Sequence, residues 1–370
     1  MPYDPYKALY LHVPFCVKRC GYCDFVTQAV ADDDVRMDEY VERLIVDIRQ
    51  AAKAGKLGEI ETVYIGGGTP TYLGSRRLSS LLYALSVSTD LTRDGLEFSM
   101  EANPESLEER LVLDLWALGV NRLSIGVQSF DDDVLRILGR AHDADDARRA
   151  ITAAQMRFEN VSVDLMCGIP GQSEESFDNS LREAIRLGVK HVSVYPLSIE
   201  PHTPFYQQVL SGVMEEPDDD VEADSMEHAA SVLQSHGFER YEVASYALPG
   251  YECRHNVSYW TGVPYLGLGE SAATMTQNAQ RRMRVTDGQV TDDLNRAQME
   301  AEDLMLGMRL ARGVSDDRVR DAHGYLEGLD AALEQLVRDG YVVHEGGRWM
   351  PTTSGWLCGN DLYARLFELA

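Results

Sequence analysis

The chain has 370 residues, of which 44% are hydrophobic and 25% charged, values typical of a globular protein large enough for more than one domain. Its formal net charge of −26 disfavours phosphate backbones and anionic lipid, so nucleic acid is not an expected partner. The sequence has no export signal and no run of about 18 apolar residues, and we expect a cytoplasmic protein whose six cysteines are reduced.

Short apolar runs alternate with amphipathic segments in the first half of the chain. Each run has five to seven residues, many of them β-branched or aromatic, as is typical of buried strands. The predicted strands are residues 8–13, 62–67, 96–102, 122–127, 161–166 and 191–197. Helices are predicted at residues 38–55, 106–119 and 176–188, and the last two end in glycine, a common stop signal.

Alternation of strand and helix predicts an α/β fold with a parallel sheet. Six such units are fewer than the eight that close a full barrel, so we expect a partial (β/α)6 TIM-like barrel. As in closed barrels, the active groups should lie at the C-terminal ends of the strands.

The alternation of strands and helices ends at about residue 217. The chain is therefore predicted to have three parts. Residues 1–216 form the barrel, residues 217–294 an extension of it, and residues 295–370 a small helical domain. In the last part a helical segment at 326–340 precedes a hairpin signal around Gly346 and Gly347. Helix and hairpin together predict a winged-helix-like module, although the acidic charge argues against DNA binding.

Three cysteines follow the first predicted strand in the spacing C-x3-C-x2-C: Cys16, Cys20 and Cys23. Disulfides do not suit an odd number of thiols in a reducing compartment. Structural zinc needs four ligands, and no second cysteine pair is present. An iron–sulfur cluster normally takes four thiolates, so three would leave one iron of a [4Fe–4S] cube open to a small chelating molecule.

Further motifs stand in the order found in one known family. They read LYLHVPFC, GGGTPT, EANPE, GVQSF, LGRAH and DLMCGIPGQ, within residues 8–172. Together with the cysteine spacing, this set resembles the radical S-adenosylmethionine (SAM) proteins, and among them the coproporphyrinogen dehydrogenase-like family. The resemblance implies a radical SAM barrel with a [4Fe–4S] cluster on Cys16, Cys20 and Cys23, whose open iron is chelated by the amino and carboxyl groups of SAM.

The resemblance also implies which residues surround SAM. The backbone of Gly67, Gly68 and Thr69 would receive the amino group, since glycine permits a close approach; the alternative is a tight strand-to-helix turn. Tyr22, before the last cysteine, would pack near the adenine. Tyr10 would pack against the sulfonium, where an aromatic face favours positive charge, and its alternative is a core tyrosine.

Four polar side chains complete the implied SAM site. Glu101 ends the third strand and Asp164 lies within the fifth; an ammonium group or ribose hydroxyls would suit these carboxylates, with a buried ion pair as the alternative. Arg140 would form a bidentate pair with the carboxylate of SAM. Gln128, after the fourth strand, would bind the ribose.

Two features separate the branches of this family. Coproporphyrinogen dehydrogenases carry an extra cysteine two positions after the third, and Phe25 occupies that position here. The segment CRHNVSYW, residues 253–260, matches the H-N-x-x-Y-W motif of the haem chaperone branch, the HemW-like proteins. Both features favour the chaperone branch.

The H-N-x-x-Y-W segment is the predicted haem site. We expect a mobile loop over the barrel mouth, in which His255 ligates haem iron while Tyr259 and Trp260 pack on the porphyrin. Cys253 is a second candidate iron ligand. The alternative is a loop pinned to the barrel by its aromatic residues, with His255 hydrogen-bonded to backbone. His12 is expected to be a core residue that orients the cluster loop.

The resemblance therefore implies a haem chaperone that binds the cluster, SAM and haem and passes haem to acceptor haemoproteins. Two enzymatic alternatives stay open: oxygen-independent oxidative decarboxylation of coproporphyrinogen III, and a radical SAM methyltransferase or cyclopropanase that uses a second SAM. An electron donor to the cluster is expected if SAM is cleaved. The family further implies a homodimer. We also expect the protein to lie in the cytoplasm and to be peripheral to the membrane during haem transfer.

Overall fold

Six parallel strands form the centre of the computed structural model, which describes residues 2–370. Strands adjacent in the sequence are also hydrogen-bonded neighbours in the sheet. They are β1 (Ala8–Val13), β2 (Thr62–Gly67), β3 (Glu97–Ala102), β4 (Arg122–Gln128), β5 (Asn160–Cys167) and β6 (His191–Pro196). Each begins and ends within one residue of its predicted bounds, so the partial (β/α)6 barrel is confirmed.

Helices connect the parallel strands, because each crossover must pack back onto the sheet. The first helix begins after Asp34, whose side chain accepts the N–H of Arg36, and buries an apolar stripe that includes Met37, Leu44 and Ile48. The helices of this part are α1 (Val35–Lys53), α2 (Gly74–Ser86), α3 (Glu109–Ala117), α4 (Asp132–Leu138), α5 (Ala144–Gln155), α6 (Glu174–Arg186), α7 (Pro204–Leu210) and α8 (Asp219–Ser235).

Later strands extend the sheet at both of its edges. Two short strands, β7 (Glu239–Arg240) and β8 (Ser245–Ala247), add to β6 in antiparallel fashion. At the other edge β9 (Tyr265–Leu268) pairs in parallel with β1. Three antiparallel strands follow it: β10 (Ala273–Asn278), β11 (Arg281–Thr286) and β12 (Gln289–Asn295).

One helix, α9 (Arg254–Trp260), connects the two edges by crossing the end of the barrel at which the strands begin. Glu97, the first residue of β3, accepts the N–H groups of Arg254 (2.8 Å) and His255 (2.9 Å). This carboxylate therefore satisfies free N–H groups at the start of the helix.

A second hydrophobic core lies in the C-terminal part of the chain. The predicted hairpin is confirmed, with Gly346 and Gly347 at positive φ as a tight turn requires. Its elements are α10 (Arg296–Gly307), β13 (Val314–Ser315), α11 (Asp316–Ala322), α12 (Leu329–Arg338), β14 (Val342–Glu345), β15 (Arg348–Pro351), α13 (Thr353–Leu357) and α14 (Gly359–Phe367).

Buried ion pairs connect this part to the extended sheet. Arg282 on β11 is 1% exposed and pairs with Glu302 (2.5 Å) and Asp303 (2.7 Å) on α10. A buried guanidinium needs such partners, so these pairs fix α10 against the sheet. Across residues 2–370, no helix combines the length and the apolar character that a bilayer crossing requires.

Candidate functional site

The three predicted cluster ligands face one cavity at the C-terminal ends of the barrel strands. Their thiols are free and partly exposed, and the cavity has a volume of about 470 Å³. Cys16 Sγ lies 3.5 Å from the Thr69 hydroxyl, and Cys20 Sγ lies 3.4 Å from Arg140 Nη1. Burial raises the pKa of the Cys16 thiol to about 11, which ligation by a metal would reverse.

The three thiols are not arranged as a site for a single metal ion. Among the described residues, no three His, Cys, Asp or Glu side chains converge as a single-ion site would require. The loop after β2 lies directly against the cysteine loop: a Cβ on Gly68 would be 2.7 Å from the Phe15 carbonyl and 3.0 Å from Cys16 Sγ. Only glycine therefore fits at this position beside the ligands.

His12 connects the barrel core to the cysteine loop. Its Nε2 lies 3.0 Å from the Val26 carbonyl, and its Nδ1 lies 3.1 Å from the Tyr10 hydroxyl. Because a carbonyl only accepts, Nε2 carries the proton and Nδ1 accepts from Tyr10. The prediction of a buried histidine that orients this loop is confirmed.

Two carboxylates lie at the floor of the cavity. Glu101 accepts the N–H of Gly67 (2.9 Å) and the hydroxyl of Tyr64 (2.9 Å). Burial raises the pKa of the Glu101 carboxyl to about 7, although the hydrogen bonds from these two donors act to lower it. Burial likewise raises the pKa of Asp164, which accepts from Ser124 at 3.4 Å. A cation or a hydroxyl-rich ligand would stabilise the charged form of both groups.

Arg140 spans the gap between the cysteine loop and the strand ends. Its Nη2 donates to Asn103 Oδ1 (2.8 Å) and to the Gly126 carbonyl (2.6 Å), while Nη1 faces Cys20. Its Nε is buried without a hydrogen-bond partner. A buried unpaired donor beside a cavity suits an anionic group of a ligand.

Gln128 is in the left-handed region, with φ of 67°, at an irregularity between β4 and β5. This conformation is costly for a residue with a side chain. The bulge turns the side chain towards the cavity, where Gln128 is part of the lining.

The structure brings most of the predicted SAM residues together. The cavity lining includes Cys16, Cys20, Cys23, Tyr22, Gly67, Gly68, Glu101, Gln128, Arg140 and Asp164. Thr69 is buried behind the lining, where it accepts from Asn103 and donates to Cys16. Lining residues that the sequence analysis missed include Lys18, Asn103, Ser124, Met166, Tyr195 and Glu200. Asn103 and Tyr195 lie near the C-terminal ends of predicted strands, and that position could have indicated them as cavity residues.

Tyr10 lies outside this lining and borders a neighbouring cavity of about 420 Å³ instead. Its ring stacks on Tyr64 with centroids 6.3 Å apart. The two cavities share Asp24, Phe25, Gly67 and Glu101 in their linings. The predicted contact of Tyr10 with the sulfonium therefore has no support in this arrangement.

The predicted position of the H-N-x-x-Y-W segment is wrong. It forms helix α9 at the start of the strands, not a loop over the barrel mouth. His255 is 1% exposed, and its two ring nitrogens lie 2.9 Å from the hydroxyls of Thr62 and Tyr259. Burial lowers the pKa of the His255 imidazole to about 3. Neither nitrogen is free for haem iron, and the partners are side chains, not the backbone expected of a pinned loop.

Other side chains of the H-N-x-x-Y-W segment also make contacts within the fold. Cys253 is buried, and its Sγ lies 3.6 Å from Glu97. Trp260 donates to Glu242 at 3.2 Å and stacks under Arg309 of the C-terminal part. Tyr259 lines the cavity that also contains Tyr10, whereas His255 and Trp260 are absent from the linings of this cavity and of the cluster cavity.

A partial barrel that presents three thiols and a polar cavity at its strand ends defines a radical SAM protein. A family profile described as "Radical SAM superfamily" matches residues 10–184, and one described as "HemN C-terminal domain" matches residues 294–358. The same fold is found in the solved structure of Escherichia coli coproporphyrinogen III oxidase (HemN), described as a radical SAM enzyme. That match has a TM-score of 0.80 and 22% identity, and covers 98% of this chain and 90% of the other.

Curated relatives of similar length identify one family within the radical SAM proteins. Proteins named heme chaperone HemW are 34% identical in Bacillus subtilis (96% of this chain, 98% of the relative) and 33% identical in Escherichia coli (97% of each). One from Mycobacterium tuberculosis is 35% identical over 99% of this chain and 96% of its own. The chain belongs to the heme chaperone HemW family of radical SAM proteins.

Proposed function

We propose that the protein is a haem chaperone, which holds a [4Fe–4S] cluster and SAM in its barrel and passes haem to acceptor haemoproteins. The observation that carries this proposal is similarity along nearly the whole chain to relatives named heme chaperone HemW. The cavity lined by Cys16, Cys20 and Cys23 supports it, because these thiols leave one iron of a cluster open to SAM.

The residues of the cavity fit the two cofactors. The three cysteines would ligate the cluster, while the loop at Gly68 leaves room beside Cys16. Arg140 would use its unpaired Nε on the carboxylate of SAM. Glu101 and Asp164 would bind its amino and ribose groups, with Gln128 at the ribose. When bound, cluster and SAM supply one-electron chemistry, whereas these side chains orient SAM and exclude water.

Phe25 weakens the main enzymatic alternative. It stands where coproporphyrinogen dehydrogenases have an additional cysteine, and its side chain is 69% exposed at the rim of the cavity. An apolar ring cannot ligate iron or carry a proton, so this rim lacks the thiol of the dehydrogenase pattern. The likeness to HemN indicates the fold alone.

The remaining expectations complete the proposal. An electron donor would reduce the cluster if SAM is cleaved, and two chains would form a homodimer. The protein would act in the cytoplasm and associate with the membrane only peripherally during haem transfer. Residues 1–216, 217–294 and 295–370 would be the barrel, its extension and the C-terminal domain.

One experiment separates chaperone from enzyme. The anaerobically reconstituted protein is incubated with haem, and separately with coproporphyrinogen III, SAM and a reductant. We expect bound haem that can be transferred to an apo-haemoprotein, and no protoporphyrinogen above a cluster-free control. Formation of protoporphyrinogen without haem transfer would reverse the assignment.

A further inference from the structure

Two of the three cluster thiols face a hydrogen-bond donor from outside the cysteine loop. The Thr69 hydroxyl lies 3.5 Å from Cys16 Sγ, and Arg140 Nη1 lies 3.4 Å from Cys20 Sγ. The donors lie on different segments, since Thr69 follows β2 and Arg140 lies between α4 and α5. A thiolate bound to iron has no proton, so both sulfurs could only accept these hydrogen bonds.

One side chain, Asn103, connects these two donors. It lies directly after β3, where its Oδ1 accepts from Arg140 Nη2 (2.8 Å) and its Nδ2 donates to Thr69 Oγ1 (2.8 Å). The orientation of the amide follows from its partners, because a guanidinium only donates and must therefore face the amide oxygen. Asn103 thus holds one donor at each end of its amide group.

The amide of Asn103 sets the direction of the Thr69 hydroxyl proton. Thr69 is 1% exposed, so its hydroxyl is shielded from solvent. A hydroxyl has a single proton, and the Thr69 oxygen already accepts from Asn103 Nδ2. The proton is therefore directed away from Asn103, towards Cys16 Sγ. The backbone is fixed as well, since the Thr69 N–H donates to the Phe15 carbonyl (2.8 Å).

The guanidinium of Arg140 is oriented by the same residue. Its Nη2 donates both to Asn103 Oδ1 and to the Gly126 carbonyl (2.6 Å), and this pair of contacts leaves Nη1 facing Cys20. A Cβ on Gly126 would lie 2.7 Å from Asn103 Oδ1, so a side chain at that position would displace the amide. Glycine at position 126 therefore keeps open the space in which Asn103 and Arg140 meet.

We propose that Asn103 is a positioning residue of the iron–sulfur cluster, which directs Thr69 and Arg140 at two cluster sulfurs and thereby raises the reduction potential. This inference rests on the cluster of the proposed function and names residues that tune it. Hydrogen bonds to the sulfurs are among the factors that set the potential of such clusters. Reduction by one electron, taken from a one-electron reductant, adds negative charge to the sulfurs, and hydrogen-bond donors stabilise that charge.

The test is a redox titration of the anaerobically reconstituted protein without SAM. Dithionite is the reductant, and electron paramagnetic resonance detects the reduced cluster. Thr69→Val removes the hydroxyl and keeps the shape of the side chain, and Asn103→Leu does the same for the amide. We expect each to lower the equilibrium constant for reduction about tenfold, which for one electron is a potential lower by about 59 mV. Thr69→Ser keeps the hydroxyl and should keep the wild-type potential.

Thr71→Val is the matched control. Thr71 is two residues further along the same loop and is also 1% exposed, but its hydroxyl lies 2.7 Å from the Ser106 hydroxyl instead of a cysteine. Its replacement should leave the potential unchanged. The double variant Thr69→Val/Asn103→Leu should shift the potential by less than the sum of the single shifts, because both changes remove the same hydrogen bond to Cys16.

The outcomes are distinguishable. Iron and sulfide contents establish that each variant holds its cluster; loss of the cluster in one single variant leaves the other as the test, and loss in both would overturn the tuning role. An unchanged potential in Thr69→Val or Asn103→Leu would also overturn it, as would additive shifts, or an equal shift in Thr71→Val or Thr69→Ser. These results would leave the haem-chaperone function intact. A wild type that holds the cluster and transfers no haem would refute the proposed function and leave this inference intact.

Discussion

His255 and Thr62 form a buried hydrogen bond, with 2.9 Å between Nδ1 and the hydroxyl oxygen, although 193 residues separate them in the sequence. Thr62 is the first residue of β2, so this bond attaches α9 to the end of the barrel opposite the cysteine loop. The second ring nitrogen meets Tyr259, and the ring stacks on Tyr64 with centroids 5.1 Å apart. His255 therefore closes the base of the barrel.

Replacement of His255 by Ala should destabilise the protein without changing haem ligation. The change leaves a cavity and removes the partners of two buried hydroxyls, so we expect the free energy of unfolding to fall by about 2–4 kcal/mol. Chemical denaturation measures the loss, and His323→Ala, at an exposed position, is the control. A stable His255→Ala protein that lost the axial haem signature would restore His255 as the ligand.

Each of the three clustered cysteines should be essential for the iron–sulfur cluster. Anaerobic reconstitution of the wild type should give about four irons and four sulfides per chain. Cys16→Ala, Cys20→Ala and Cys23→Ala should each lose the charge-transfer absorbance, because no spare thiol lies at the cavity. Cys358→Ser, at an exposed position outside the cavity, is the control. An equal requirement for Cys167, Cys253 or Cys358 would contradict the three-ligand arrangement.

Arg140→Ala should weaken SAM binding more than about tenfold, since loss of a charge-assisted pair costs over about 1.4 kcal/mol. Isothermal titration calorimetry on cluster-loaded protein measures the change. Arg136→Ala, on the helix α4 that precedes Arg140, removes an exposed arginine that pairs with Asp133 and should have no effect. Unchanged affinity in Arg140→Ala would remove this residue from the SAM site.

SAM affinity should rise with pH around neutrality because of Glu101. Burial raises the pKa of this carboxyl to about 7, so below that pH it is mostly neutral and attracts the positively charged SAM less. Binding favours the ionised form, and affinity should therefore increase from pH 6 to 8, about one unit on each side of that pKa. Glu101→Gln should bind more weakly, with a smaller pH dependence. Parallel pH profiles for both proteins would exclude Glu101.

The strands and the cysteine loop could be predicted because their signals are local. Buried strands show as apolar runs, and Cys16, Cys20 and Cys23 lie within one short loop after β1. The meeting of Glu101 and Asp164 in one cavity was predictable as well, because parallel strands bring their C-terminal ends to the same side.

The position of the H-N-x-x-Y-W segment was decided by the tertiary structure. Sequence order after β6 suggested the barrel mouth for His255. However, β9 runs parallel to β1 and must begin at the same end, so the preceding helix α9 lies at the base. That pairing joins residues 257 positions apart, such as Ala8 and Tyr265, and no local pattern encodes it.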